Sequence, residues 1–195
     1  MEDPIVLLRE SGAMLEGHFL LSSGRHSDRY FQCARLLQHP DRAAAALKPA
    51  VERIRGDLDA GKLVIDAIAG PAMGGIIVAY ELGRQLGLPA FFTERDEGGA
   101  MSLRRGFTVE KGAKILIAED VVTTGKSSGE SAAVLEGLGA RITALACLVD
   151  RRAPGIPLAW PLYAACTVEV SNWEASSCEL CDKGLPLVKP GSRKF

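Results

Sequence analysis

Residues 115–128 read Ile-Leu-Ile-Ala-Glu-Asp-Val-Val-Thr-Thr-Gly-Lys-Ser-Ser. The apolar run Ile115 to Ala118 reads as a buried strand. It delivers two adjacent acids, Glu119 and Asp120, then Val121 and Val122, then a turn rich in hydroxyls and glycine. The acids can accept hydrogen bonds from a diol. The turn Thr123-Thr124-Gly125-Lys126-Ser127 can aim N–H groups and hydroxyls at a phosphate, aided by the positive end of a following helix. Gly125-Lys126-Ser127 also matches the last letters of a P-loop. That motif needs a glycine five residues earlier, where Asp120 stands. An ordinary strand-end turn has no need of a double acid followed by Thr-Thr-Gly-Lys-Ser-Ser.

Around this stretch, apolar runs alternate with amphipathic segments. Strands are expected at 63–69, 90–93, 114–118, 142–149 and 164–170, and helices at 75–86 and 127–138. This alternation predicts an α/β fold with a mostly parallel central sheet and helices on both faces. Ligands of such sheets bind at the carboxyl ends of the strands, so the loops after Ala69, Thr93, Ala118 and Val149 should share one crevice. Toward the N-terminus, a short helix is expected at 4–14 and a strand at 19–21. A longer helix is expected at 41–58, kinked or broken at Pro49.

Composition narrows the class of protein. With 195 residues the chain fits one domain. Its 47% hydrophobic and 24% charged residues are ordinary for a globular protein. A formal charge of −1 and a pI near 6.3 give no global pull toward nucleic acid or an anionic membrane. Neither a membrane span nor a signal peptide is legible, so the chain reads as cytosolic. Five cysteines are present. Cys33, Cys147 and Cys166 sit in apolar surroundings, while Cys178 and Cys181 form an isolated Cys-x-x-Cys. A zinc site needs two more ligands, and His18, His26 and His39 are far away in sequence. A redox pair lacks its thioredoxin-like context. The pair is therefore read as structural, at an end turn or a subunit contact.

Three further segments border the expected crevice. Gly70-Pro71-Ala72-Met73-Gly74-Gly75 is a turn in which glycine permits close backbone approach. Residues 95–106, Arg-Asp-Glu-Gly-Gly-Ala-Met-Ser-Leu-Arg-Arg-Gly, suit a mobile lid whose Arg95, Arg104 and Arg105 could clamp a diphosphate. Asp150-Arg151-Arg152 ends a strand with a cation suited to a carboxylate. In Phe19 to Phe31, Tyr30 and Phe31 form an aromatic pair that could stack on a planar base.

The stretch from Ile115 to Ser127 resembles the 5-phosphoribosyl-1-diphosphate (PRPP) signature of type I phosphoribosyltransferases. Nearly the whole chain resembles the orotate-specific family within that group. The resemblance rests on Ser23-Gly24-Arg25-His26-Ser27, on Tyr30 and Phe31, on Gly70 to Gly75, on the signature itself and on Asp150-Arg151. It implies a type I phosphoribosyltransferase fold as a single domain over 1–195, with a small hood mainly from 1–38 and C-terminal contributions. The reaction implied is transfer of the phosphoribosyl group from PRPP to orotate in pyrimidine biosynthesis.

By the same resemblance, PRPP would meet Pro71, Ala72, Arg95, Glu119, Asp120, Val121, Val122, Thr123, Thr124, Gly125, Lys126 and Ser127. Orotate would meet Thr123, Arg151, Tyr30 and Phe31. Asp120, Glu119, Arg104 and Arg105 would carry catalysis. Mg²⁺ would be bound mainly through substrate, with no protein metal cage, in a homodimer whose lid reaches the neighbouring site. Three departures stand out. Ser22 and Gly74 occupy positions where many members have lysine, and 96–103 contains no basic residue. Arg104 or Arg105 is therefore expected to replace the lid lysine. Alternatives are transfer to another base, or a PRPP-sensing regulator, which would need a DNA-binding module or a basic face.

Overall fold

A computed structural model describes residues 2–21 and 23–190. Ser22 lies outside them, so the missing-lysine position has no structural account. The elements run α1 Pro4–Glu10, β1 Met14–Leu20, β2 His26–Phe31, α2 Ala34–Leu37, α3 Pro40–Asp59, β3 Ala67–Pro71, α4 Gly74–Leu86, β4 Ala90–Arg95 and β5 Met101–Ser102. They continue with β6 Lys114–Val122, α5 Lys126–Gly137, β7 Arg141–Asp150, β8 Leu162–Thr167, β9 Asn172–Trp173 and α6 Glu179–Asp182.

The main sheet has the order β5-β4-β3-β6-β7-β8. All its pairings are parallel except β4 with β5. The helices take opposite faces. Leu47, Ile54, Val78 and Leu82 of α3 and α4 pack with Ile68, Leu116 and Leu148 on one side. Ala132 and Leu135 of α5 pack with Ile115, Ile117 and Leu145 on the other. Ile115 to Ala118 are each at most 1% exposed, as alternating burial against both layers requires. A buried bond of 2.7 Å between the Thr93 and Ser131 hydroxyls ties α5 to β4.

A second, three-stranded sheet, β1-β2-β9, is antiparallel throughout. It joins an N-terminal hairpin to a strand from near the other end of the chain. This small sheet is termed the hood.

Several local expectations shift. The helix at 4–14 ends at Glu10, because Met14 already enters β1. The helix over 40–59 runs unbroken through Pro49, held by Ala46, Leu47, Ala50, Val51 and Ile54 in the core. Tertiary burial there outweighs the loss of one backbone donor. The strand expected at 63–69 begins only at Ala67 and extends to Pro71. Leu63 and Ile65 are buried but unladdered, and Asp66 accepts the Lys114 N–H at 2.7 Å. The lid is partly ordered, since Glu94 and Arg95 pair with Ser102 and Met101. A turn in which the Ala100 N–H meets Asp96 Oδ1 at 2.9 Å closes that hairpin.

Candidate functional site

The parallel strands end side by side, and the chemistry collects there. β6 carries Glu119 and Asp120 within its last turns of pleat and ends at Val122. Gly125 follows with φ 73°, a left-handed conformation that suits glycine, and starts α5 at Lys126. The first N–H groups of α5 have no partner inside the helix and open onto the loop. A hollow of about 200 Å³ is lined by Glu119 to Ser128 in sequence. A larger hollow of about 490 Å³ lies between α3 and β8, lined by Arg53, Asp57 and Tyr163. It is remote from the strand ends, and its tyrosine hydroxyl is already bonded to Asp57 at 2.6 Å. The smaller hollow is the better candidate because it alone combines acids, hydroxyls and a helix N-terminus.

Gly70, Gly74 and Gly75 sit where side chains would not fit. A Cβ on Gly70 would overlap the Gly75 carbonyl and stand 3.1 Å from Ala118 O. One on Gly75 would lie 2.8 Å from Ala118 O. The glycines thus press the start of α4 against the end of β6. At Gly74 a Cβ would meet the Asp120 carboxylate, with Oδ1 at 2.8 Å. The space that a lysine would fill is taken by Asp120. The peptide bond Ala72–Met73 is cis.

The two acids differ. The Asp120 Oδ1 accepts the Val121 N–H at 2.9 Å. Burial, and then the neighbouring Asp120 charge, raise the Glu119 pKa to about 9. At neutral pH Glu119 is protonated, able to donate one hydrogen bond as well as accept.

Thr123 and Arg151 become neighbours because Val122 pairs with Asp150 and the Arg151 N–H donates to Val122 O at 3.0 Å. The Arg151 guanidinium lies 5.8 Å from the centre of the Phe31 ring. Burial lowers its pKa somewhat. Arg152 is instead occupied by Asp150, with Nε and Nη2 each 2.9 Å from its carboxylate. Arg151 thus stays available for an incoming anion.

Tyr30 and Phe31 do not act as a stacked pair. Adjacent strand residues point to opposite faces. Tyr30 leans on Phe19, with centroids 6.0 Å apart, and its hydroxyl meets Gln32. Phe31 packs toward the core and Arg151. Of the two, Phe31 stands beside Arg151.

The lid arginines are unequal too. Arg95 bonds Glu130 of α5 and the Gly99 carbonyl. Arg105, at φ 60°, grips Glu94 with Nε and Nη2 at 2.8 and 2.9 Å, and its guanidinium lies 5.9 Å from the Phe92 ring centre. Arg104 is exposed, with no ion pair among the described residues. Glu94 and Glu130 were not legible as partners, because each meets its arginine through strand pairing or helix docking.

The Cys178–Cys181 pair does not stand alone. His18 and His26 of the hood lie against it, so distance along the chain was no guide. Among the described residues no helix is long and apolar enough to cross a membrane.

Comparison with known proteins matches this arrangement. Residues 33–177 match the family model described as a phosphoribosyl transferase domain. An orotate phosphoribosyltransferase of Heliobacterium modesticaldum is 48% identical over 191 residues, 96% of this chain and 95% of that protein. The crystal structure of orotate phosphoribosyltransferase from Aeropyrum pernix is 30% identical, with a TM-score of 0.67 over 86% of this chain and 94% of that one. A Leishmania donovani UMP synthase structure, 23% identical, shares the fold with a TM-score of 0.70 over 85% of this chain and 36% of that longer one. With the acid pair, phosphate turn and glycine loop at the strand ends, this chain belongs to the orotate phosphoribosyltransferases of the phosphoribosyltransferase family.

Proposed function

We propose that this chain transfers the 5-phosphoribosyl group from PRPP to N1 of orotate, giving orotidine 5′-monophosphate and diphosphate. The observation that carries this reading is the juxtaposition of the signature loop with Arg151, which has no ion pair among the described residues, at the next strand end. A bidentate guanidinium matches the orotate carboxylate, and Thr123 beside it reaches the same base. A purine would have no use for such a cation.

Orotate enters as a carboxylate anion whose charge lies away from N1. The C1–oxygen bond to diphosphate breaks and its electron pair leaves with diphosphate, while orotate N1 forms the new bond to C1 and gives up its proton to the departing diphosphate or to water. This chain's residues position and stabilise. Thr123 to Ser127 and the N-terminus of α5 hold the 5-phosphate, and Asp120 and Glu119 meet the ribose hydroxyls. Pro71 and Ala72 approach the diphosphate through backbone. Arg104, with Arg105 and Arg95 once released from their carboxylates, would neutralise the departing charge.

The Asp120 side chain at the crevice fits Mg²⁺ held mainly through substrate oxygens. When bound, the ion supplies charge neutralisation on the diphosphate. We read residues 1–195 as one catalytic unit with the β1-β2-β9 hood over the base. Met73, just before α4, and Ile77 and Tyr80 on it, 82%, 40% and 67% exposed at helical spacing, support a homodimer, and the lid is proposed to meet the neighbouring subunit.

Mixing the protein with PRPP, Mg²⁺ and orotate and following orotate absorbance tests the reading. Turnover is expected. No turnover with orotate, alongside turnover with adenine or uracil, would overturn it.

A further inference from the structure

His18 on β1, His26 on β2 and Cys178 and Cys181 around the start of α6 point four ligand atoms at one spot. All lie within 4.8 Å of one another. His18 Nε2 is 2.9 Å from His26 Nδ1, 3.4 Å from Cys178 Sγ and 3.7 Å from Cys181 Sγ. Cys181 Sγ is 3.4 Å from His26 Nδ1. His18, His26 and Cys178 are 3%, 5% and 1% exposed, and both cysteines are free thiols.

Hydrogen bonding alone leaves these close contacts competing for one acceptor. His18 Nδ1 stands 2.9 Å from the Leu185 carbonyl, which can only accept, so Nδ1 carries the proton. Nε2 then offers one lone pair to three neighbours. A central cation removes the conflict, because every lone pair then points inward. The spacing suits zinc. Bonds of about 2.0 Å to nitrogen and 2.3 Å to sulfur put tetrahedral ligands roughly 3.3 Å (N to N) and 3.5 Å (N to S) apart. The Leu185 carbonyl then plays the orienting role usual for a metal-bound histidine.

We propose that His18, His26, Cys178 and Cys181 bind one Zn²⁺ ion that fastens the C-terminal segment to the hood. Four protein ligands leave no open position, so the site is structural. The fold gives the ion something to do. Beyond α6, Leu185, Leu187 and Val188 are 46%, 44% and 49% exposed and contribute little core. Backbone bonds of 2.9 Å, from Leu20 N to Val188 O and from Val188 N to His18 O, join the His18–Leu185 bond in tying this tail to β1. His26 lies between Arg25 and Ser27, so the ion would also fix the hood hairpin, whichever base the crevice takes.

The test is metal analysis of the purified full chain after exposure to excess Zn²⁺ and desalting. Wild type should hold about one zinc per chain, and C178S and C181S below about 0.1. C166S, altered on β8 away from the cluster, should keep its zinc. Co²⁺-loaded wild type should show thiolate-to-metal absorption and tetrahedral cobalt bands, a readout that needs no variant to fold. Wild type that retains no zinc, cysteine variants that retain it, or a Cys178–Cys181 disulfide in freshly purified protein would each overturn the proposal.

Discussion

Alanine at Gly70 adds one methyl group where two backbone segments already touch. Its Cβ would fall well inside 3.0 Å of the Gly75 carbonyl, and 3.1 Å from Ala118 O. Neither is a flexible side chain. The comfortable separation is about 3.5 Å or more, so the start of α4 must move off β3 and β6 by roughly 1 Å or more. Overpacking of this kind costs about 1–3 kcal/mol. In a chain of this size that lowers the melting temperature by about 2–12 °C. The same displacement moves the glycine loop relative to Asp120, and a misplacement near 1 Å can lower kcat/KM by about 10²-fold. Gly129→Ala is the control. Nothing lies within 4 Å of its Cβ position inside α5, so alanine should stabilise by about 0.5–1 kcal/mol. Thermal unfolding and PRPP kinetics on both variants check this. If Gly70→Ala melted and turned over like wild type, the close approach of α4 to the strand ends would not be what orders the site.

Other expectations follow from single contacts. Arg151→Ala should raise the KM for orotate by about 10- to 10²-fold through loss of a charged hydrogen-bonded pair, with the KM for PRPP nearly unchanged; equal effects on both would refute a base-side role. Arg104→Ala should lower kcat by about 10²-fold and more than Arg105→Ala, because Glu94 already occupies Arg105; steady-state kinetics showing the reverse order would reassign the lid cation. Folded Glu119 keeps a proton that the unfolded chain releases above its ordinary pKa of 4.5. No penalty exists below that pH. Stability then falls as pH climbs toward 9, with a slope no steeper than about 1.4 kcal/mol per pH unit. Denaturant midpoints of Glu119→Gln should lose that slope, and an unchanged slope would place the titration elsewhere.

The legible parts of this chain are those whose physics is local. The run Ile115–Ala118, the acids after it and Gly125 specify strand, polar end and helix start within fourteen residues, and β6 and α5 follow that order. Leu63 and Ile65 misled because burial and strand pairing are separate facts: both reach the core without a ladder partner. Tyr30 and Phe31 misled because a shared place in sequence is not a shared face. The histidine–cysteine cluster was illegible for another reason. His26 pairs with Trp173, and His18 meets Cys178 across 160 positions. Nothing near either histidine encodes that meeting.

Charge at the crevice makes the same point from the other direction. Counted from sequence, the signature brings two negative charges to a place that must receive phosphates. Two ionised carboxylates side by side would repel an anionic ligand. Burial beside Asp120 keeps Glu119 protonated at neutral pH, so the pair carries less charge than its letters suggest. Arg95 and Arg105 are likewise held by Glu130 and Glu94 rather than presented bare. Arg104 keeps its charge exposed, while Arg95 and Arg105 are thus neutralised internally in the free site. A diphosphate that draws those arginines away has to compete with their carboxylates, which favours a ligand carrying several charges over a single phosphate. Selectivity for PRPP over a simple pentose phosphate can therefore arise in the lid, without any added contact to the ribose.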